Sequence, residues 1–167
     1  LEAVIKAFYP AEPIGADANR VEAEGWFSPD DDCVGRIIDL FAQARQTVDV
    51  CVFTITDNRI AETILRAHER GVRVRVISDD DKAFDKGSDI AHLRSRGIDC
   101  RVDNTQHHMH HKFAIFDHRL LLTGSYNWTR SAASDNEENF ILSGDPRLLK
   151  SFAGMFDKLW DTFGRTS

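Results

Sequence analysis

Two hydrophobic periods alternate along this chain. "VEAEGWF" (Val21–Phe27) and "TVDVCVFTI" (Thr47–Ile55) have the apolar and β-branched character of strands, and "VRVRVIS" (Val72–Ser78) alternates valine with arginine. Between these segments the apolar positions fall three and four residues apart. In "SPDDDCVGRIIDLFAQARQ" Val34, Ile37, Ile38 and Phe41 share one helical face, with Ser28 predicted as N-cap and Pro29 at the first helical position. "DNRIAETILRAHERG" predicts a second helix, closed by Gly71. Strand, helix and strand in this order make a βαβ unit with parallel strands and a right-handed crossover.

A third helix is expected from about Ser88 to Arg96, ending at Gly97, then a short strand "IDCRV" and the polar loop "DNTQHHMH". His110–Asp117 and Leu120–Ser125 follow as two strands joined by a turn too short for a crossover, hence antiparallel. "NFILSG" is another strand. "DPRLLKSFAGMFDKLWDTF" closes the chain as a helix capped by Asp145, with Pro146 in its first turn and Leu149, Phe152, Phe156, Leu159, Trp160 and Phe163 facing inward. That stripe reads as core, not as a lipid tunnel. The predicted fold is α/β: a mixed, mainly parallel sheet with helices on both faces, formed by residues 21–167 after an N-terminal extension over residues 1–20.

A length of 167 residues suits one domain with a single well-buried core. The balance of 21 Lys+Arg against 27 Asp+Glu, net −6, argues against a surface that coats nucleic acid or acidic membrane throughout, so an anionic ligand must be met locally. Cys33, Cys51 and Cys100 are widely spaced and odd in number, which indicates neither a disulfide framework nor a cysteine zinc site. No run of about 18 apolar residues is present. A chain beginning at Leu1 instead of Met leaves room upstream for a leader or anchor, so the compartment stays open, with the periplasm and membrane anchoring both compatible.

The polar positions of the hairpin need a chemical explanation. On a strand, His110 and Lys112 point to the same face, roughly 6.6 Å apart along the chain, and can flank one small anion. Asp117 has odd offset and faces away. Gly124 permits close backbone approach, and Ser125 and Asn127 offer donors to oxygen ligands. Imidazole, ammonium, hydroxyl and carboxamide together suit a phosphate.

His110-x-Lys112-x4-Asp117-x6-Gly124-Ser125-x-Asn127 resembles, with every spacing intact, the signature of the phospholipase D superfamily. The likeness extends through "RGVRVRVISD", "GIDCRVD" and "ENFIL", covers about Trp26 to Phe163, and is nearest to the single-motif branch that holds the bacterial Nuc endonuclease and the Zucchini-type cardiolipin hydrolases. This resemblance implies phosphodiester hydrolysis through a covalent phosphohistidine, with no metal and no other cofactor. It assigns attack and leaving-group protonation to two copies of His110, phosphate binding to Lys112, Asn127 and Ser125, and a hold on the histidine ring to Glu138, with Glu137 as the adjacent alternative. Asp117 and Gly124 are then structural parts of the motif, Asp117 holding its own turn. Two histidines and one motif per chain imply a two-fold homodimer with a shared active site.

Other readings compete. His107, His108, His110 and His111 suggest a zinc site, but without a cysteine or carboxylate partner at characteristic spacing they read instead as site or rim residues. Asp79–Asp81 end a parallel strand and read as a solvated loop more readily than as a cation site. Asn127-Trp128-Thr129 matches a glycosylation acceptor but lies inside the signature. For the substrate, Arg101, Arg119 and Arg130, the histidine-rich loop, and Tyr126 and Trp128 as stacking surfaces favour single-stranded nucleic acid. The alternative substrate is membrane phospholipid, which calls for an interfacial apolar surface. "WFSPDDDCVGRII" passes directly into the first helix, without the cysteine/histidine zinc element of Zucchini-type members, which favours a compact Nuc-like enzyme.

Overall fold

In the computed structural model residues 23–83 and 86–164 are described; the expected N-terminal extension lies outside them. The elements run β1 (Ala23–Ser28), α1 (Cys33–Gln43), β2 (Thr47–Val52), α2 (Asn58–Glu69), β3 (Arg73–Ser78), α3 (Asp80–Ala83), α4 (Ile90–Ser95), β4 (Asp99–Val102), β5 (Lys112–Phe116), β6 (Leu120–Gly124), α5 (Arg130–Ser134), β7 (Glu138–Ser143) and α6 (Pro146–Phe163).

The first helix starts later than its apolar pattern suggests. Ser28 is the last residue of β1, paired with Glu138, and the cap is Asp32, whose carboxylate accepts from Gly35 N at 2.9 Å. Three aspartates in a row offered three competing caps, and pairing of Ser28 with β7 removed it from the contest. Asp145 caps α6 as expected, accepting from Arg147 N at 2.8 Å.

All seven strands join one sheet in the order β1-β7-β6-β5-β2-β3-β4. Among the described strands only β2–β3 and β3–β4 pair in parallel, whereas β1–β7, β7–β6, β6–β5 and β5–β2 are antiparallel. The sheet is therefore mixed but not mainly parallel. The β5–β6 hairpin docks in the middle of the sheet, against β2, and β7 returns beside it without a crossover, so every later pairing is antiparallel.

Each face of the sheet has its own core. On one side Val48, Val50, Val76, Phe116 and Leu122 pack against Ile37 and Phe41 of α1 and Ile60 and Ile64 of α2. On the other, Cys51, Ile77, Phe113, Ile115 and Leu121 are covered by Phe156, Trp160 and Phe163 of α6. The helix α6 does not cover the outer strands of its face, and Phe27 on β1 and Ile141 on β7 stay 59% and 46% exposed. Among the described residues, no helix is long and apolar enough to cross a membrane.

Candidate active site

The antiparallel registers bring distant residues to one rim of the sheet. Lys112 at the start of β5 pairs with Val52 at the end of β2, and Gly124 at the end of β6 pairs with Phe140 near the start of β7. His110 before β5, Ser125 and Asn127 after β6 and Glu138 at the start of β7 therefore lie along this one rim of the sheet.

His110 lies just before β5 and is exposed, while Lys112 is buried, 8% exposed. The Lys112 ammonium is closer to the imidazole than strand spacing alone would place it. Its Nζ is 3.0 Å from His110 Nδ1 and donates to the His110 carbonyl at 2.8 Å. Burial lowers the Lys112 pKa, and the Glu138 carboxylate opposes that shift. Burial, the Lys112 charge and His108 also push His110 below the ordinary imidazole value, against Asp79. A neutral imidazole, with a ring lone pair free, is the nucleophilic form of histidine. Glu138 faces Lys112 and makes no hydrogen bond to His110 within one chain.

Gly124 has no room for a side chain: a Cβ there would lie 2.2 Å from Asn139 O and 2.6 Å from Phe140 Cα. That close approach lets Ser125 clamp β7, donating from its N to Asn139 O at 2.9 Å and accepting from Asn139 N through Oγ at 3.1 Å. The Ser125 O–H remains able to donate to a phosphate oxygen. Asn127 is half-buried, and its Oδ1 is a buried polar atom with no hydrogen-bond partner in the chain. Rotation of the carboxamide would present its NH₂ at the same position.

Asp117 works at a distance instead of on its own turn. Its carboxylate accepts from the backbone N–H of Arg45, Gln46 and Thr47 at 2.9, 2.7 and 2.9 Å, tying the start of β2 to the hairpin end. Burial would raise its pKa, but these three donors outweigh it and hold the carboxyl below the ordinary value. The turn itself is made by the left-handed backbones of Asp117 and His118, φ 51° and 53°.

The features read as nucleic-acid contacts disperse. Tyr126 and Trp128 are 1% and 0% exposed and pack in the core, so neither offers a stacking surface. Arg119 sits at the end of the hairpin remote from Lys112, and the Arg101 guanidinium lies 4.1 Å over the Trp160 ring. Arg130 is exposed at the start of α5, electrostatically coupled to Asp57 and Asp89. Apolar periodicity alone does not distinguish a buried aromatic from a displayed one.

Two features were not anticipated. Asp79 is fully buried, not part of a solvated loop; it accepts from Met109 N at 2.9 Å and from the His108 ring at 3.2 Å, which orders the loop before His110. Asp81 brings a third ligand atom within 4.8 Å of these, but Asp79 already has its partners, so the group reads as a histidine–carboxylate pair. A groove of about 410 Å³ also runs from His110, His111 and Lys112 past Phe113, Thr123 and Gly124 to Ser151, Phe152 and Met155 on α6. Phe152 belongs to the stripe that reads as core and is partly buried against it, whereas Met155 lies outside that stripe and is exposed.

The chain belongs to the phospholipase D superfamily: residues 37–160 match the family described as "Cardiolipin synthase, PLD-like domain". It is 53% identical over 130 residues to mitochondrial cardiolipin hydrolase of Chlamydomonas reinhardtii and 39% identical over 137 residues to that of Xenopus tropicalis. These alignments cover 78% and 82% of this chain but 58% and 65% of the relatives, so the chain spans less than two thirds of their length. The fold is similar to that of Nuc from Salmonella typhimurium, with TM-score 0.79, 24% identity and coverage of 85% of this chain and 95% of Nuc. The sequence is thus nearer to the cardiolipin hydrolases, and the Nuc likeness speaks for the fold alone.

Proposed function

We propose that the chain is a phosphodiesterase that forms a phosphohistidine at His110, in a centre shared by two copies, and that its substrate is a phospholipid of the cardiolipin type. The observation that carries the substrate is the partly apolar groove opening beside Lys112, walled by Phe113, Phe152 and Met155, in a chain 53% identical to a cardiolipin hydrolase. Such a groove suits the glycerol and upper acyl portion of a lipid whose phosphate lies at His110 and Lys112.

In the first step an imidazole nitrogen of one His110 attacks phosphorus, the bond from phosphorus to the leaving oxygen breaks, and the partner's His110 gives that oxygen its proton. Lys112, Asn127 and Ser125 stabilise the charge on the non-bridging oxygens. Water then attacks the phosphohistidine, loses its proton to the second histidine, and the phosphorus–nitrogen bond breaks. The exposed Phe27 and Ile141 support a second copy seated beside the site, because Ile141 pairs with Thr123, which lines the groove.

A second reading, hydrolysis of single-stranded nucleic acid, draws on the exposed His107, His108 and His111 at the rim. The test offers purified protein cardiolipin vesicles, phosphatidylcholine vesicles and single-stranded oligonucleotides, each with and without EDTA. The proposal expects cardiolipin to be cut by wild type, not by His110→Ala, and without loss on chelation. Cleaved oligonucleotides beside intact cardiolipin would establish the second reading; activity abolished by EDTA and restored by a divalent cation would overturn the metal-free chemistry.

A further inference from the structure

We propose that Phe53 is a positioning residue for the His110–Lys112 pair, its ring serving as the apolar surface on which both groups are held in register. This rests on the reading of that pair as the phosphodiester site. Phe53 directly follows β2 and is half-buried, yet it belongs to neither hydrophobic core. Its backbone is tied on both sides: its N donates to His111 O at 2.9 Å, and its carbonyl accepts from Ser78 Oγ at 3.1 Å and Asp79 N at 3.4 Å. One bond fixes it to the segment that carries His110, the others to the end of β3.

The ring so placed is surrounded by site groups. Its centroid is 4.7 Å from the His110 ring and 5.6 Å from the His108 ring, while Lys112 Nζ and Lys82 Nζ lie 5.3 and 5.8 Å from it. Those distances are within the range of cation–π attraction, about 6 Å. The other titratable groups nearby include Asp79, paired with His108, Asp81 at its edge, Glu138 approaching Lys112 from β7, and His111, coupled to both Lys112 and His110. A π face favours an ammonium without taking up any of its N–H donors, so the donors of Lys112 stay available for His110 and for phosphate oxygens. A carboxylate in the same place would compete with the substrate for them. The tilted ring contact, at 60° to the imidazole, also limits rotation of His110 about its side-chain bonds.

The experiment compares wild type with Phe53→Leu, which keeps apolar bulk and removes the quadrupole, and with Phe53→Tyr, which keeps the ring. With a small chromogenic phosphodiester as substrate, Phe53→Leu should lower kcat about tenfold with a smaller change in KM, and Phe53→Tyr should recover most of it. The alkaline limb of the Leu variant should move to lower pH, since a buried ammonium without its π partner loses its proton sooner. The His110 imidazole, followed by NMR in the substrate-free protein, should titrate lower in the Leu variant. An unchanged kcat, pH profile and imidazole titration in a folded Leu variant would overturn the inference. If that variant does not fold, pentafluorophenylalanine at position 53 preserves the shape, and the same three readouts decide. Full activity of His110→Ala would instead refute the site itself, leaving the imidazole titration as a separate test of the ring contact.

Discussion

His110 and Lys112 illustrate how proximity changes the protonation of two ordinary residues. The ammonium is buried beside an imidazole 3.0 Å away, and each positive form discourages the other. His110 is expected to titrate below 6.5, its ordinary value, and to be largely neutral at pH 7 in the free chain. Burial is the first cause and Lys112 the second, so Lys112→Met should raise the His110 pKa without restoring it fully, while sharply reducing kcat. NMR titration of the imidazole measures this directly. A pKa that falls in the Met variant would mean that the ammonium is not the neighbour assigned here.

At the scale of elements, the hairpin depends on two contacts at opposite ends. Asp117 accepts three backbone N–H groups from the start of β2, and removing it leaves those donors without their carboxylate. Asp117→Ala should cost about 2 to 3 kcal/mol, read from urea unfolding at pH 7. Because the folded pKa of Asp117 is depressed, its contribution is present above the unfolded pKa, near 3.8, and is lost as pH falls through the lower folded value. The difference between wild type and Asp117→Ala should therefore shrink in acid below about pH 4. At the other end, Gly124→Ala drives a methyl group into backbone atoms of Asn139 and Phe140, with no flexible side chain to yield. It should destabilise by at least about 2 kcal/mol.

For the whole molecule the governing question is whether one chain suffices. Each chain has one His110, and Glu138 reaches Lys112 but not the imidazole. A shared centre predicts that a dimer of one wild-type and one His110→Ala chain is nearly inactive. After random exchange, confirmed with a size tag, an equal mixture should keep about a quarter of full activity, following the square of the wild-type fraction. A linear fall to about a half would show that each subunit is self-contained. Ile141→Glu, placed on the uncovered sheet face, should leave the chain folded, monomeric by light scattering and inactive.

Local rules made a large part of this molecule legible. The seven strands and the four longer helix segments follow from periodicity, Asp145 from capping chemistry, and the spacing from His110 to Asn127 from its resemblance to one family's signature, while the short helices α3 and α5 did not show in the pattern. Those features depend on neighbours in sequence, where side-chain period and hydrogen-bond geometry act directly. Sheet order did not follow, because alternation within a strand says nothing about which strand lies beside it; the hairpin docked against β2 and made most pairings antiparallel. Tyr126 and Trp128 read as stacking surfaces until packing buried them, and Asp79 read as solvated until a backbone N–H and His108 claimed its carboxylate. Phe53 was one more apolar residue ending a strand, and only the convergence of β2, the end of β3 and the approach to β5 set its ring beside His110, His108 and Lys112. Contacts of that kind join residues about 60 positions apart, and their energies exist only once the chain has folded.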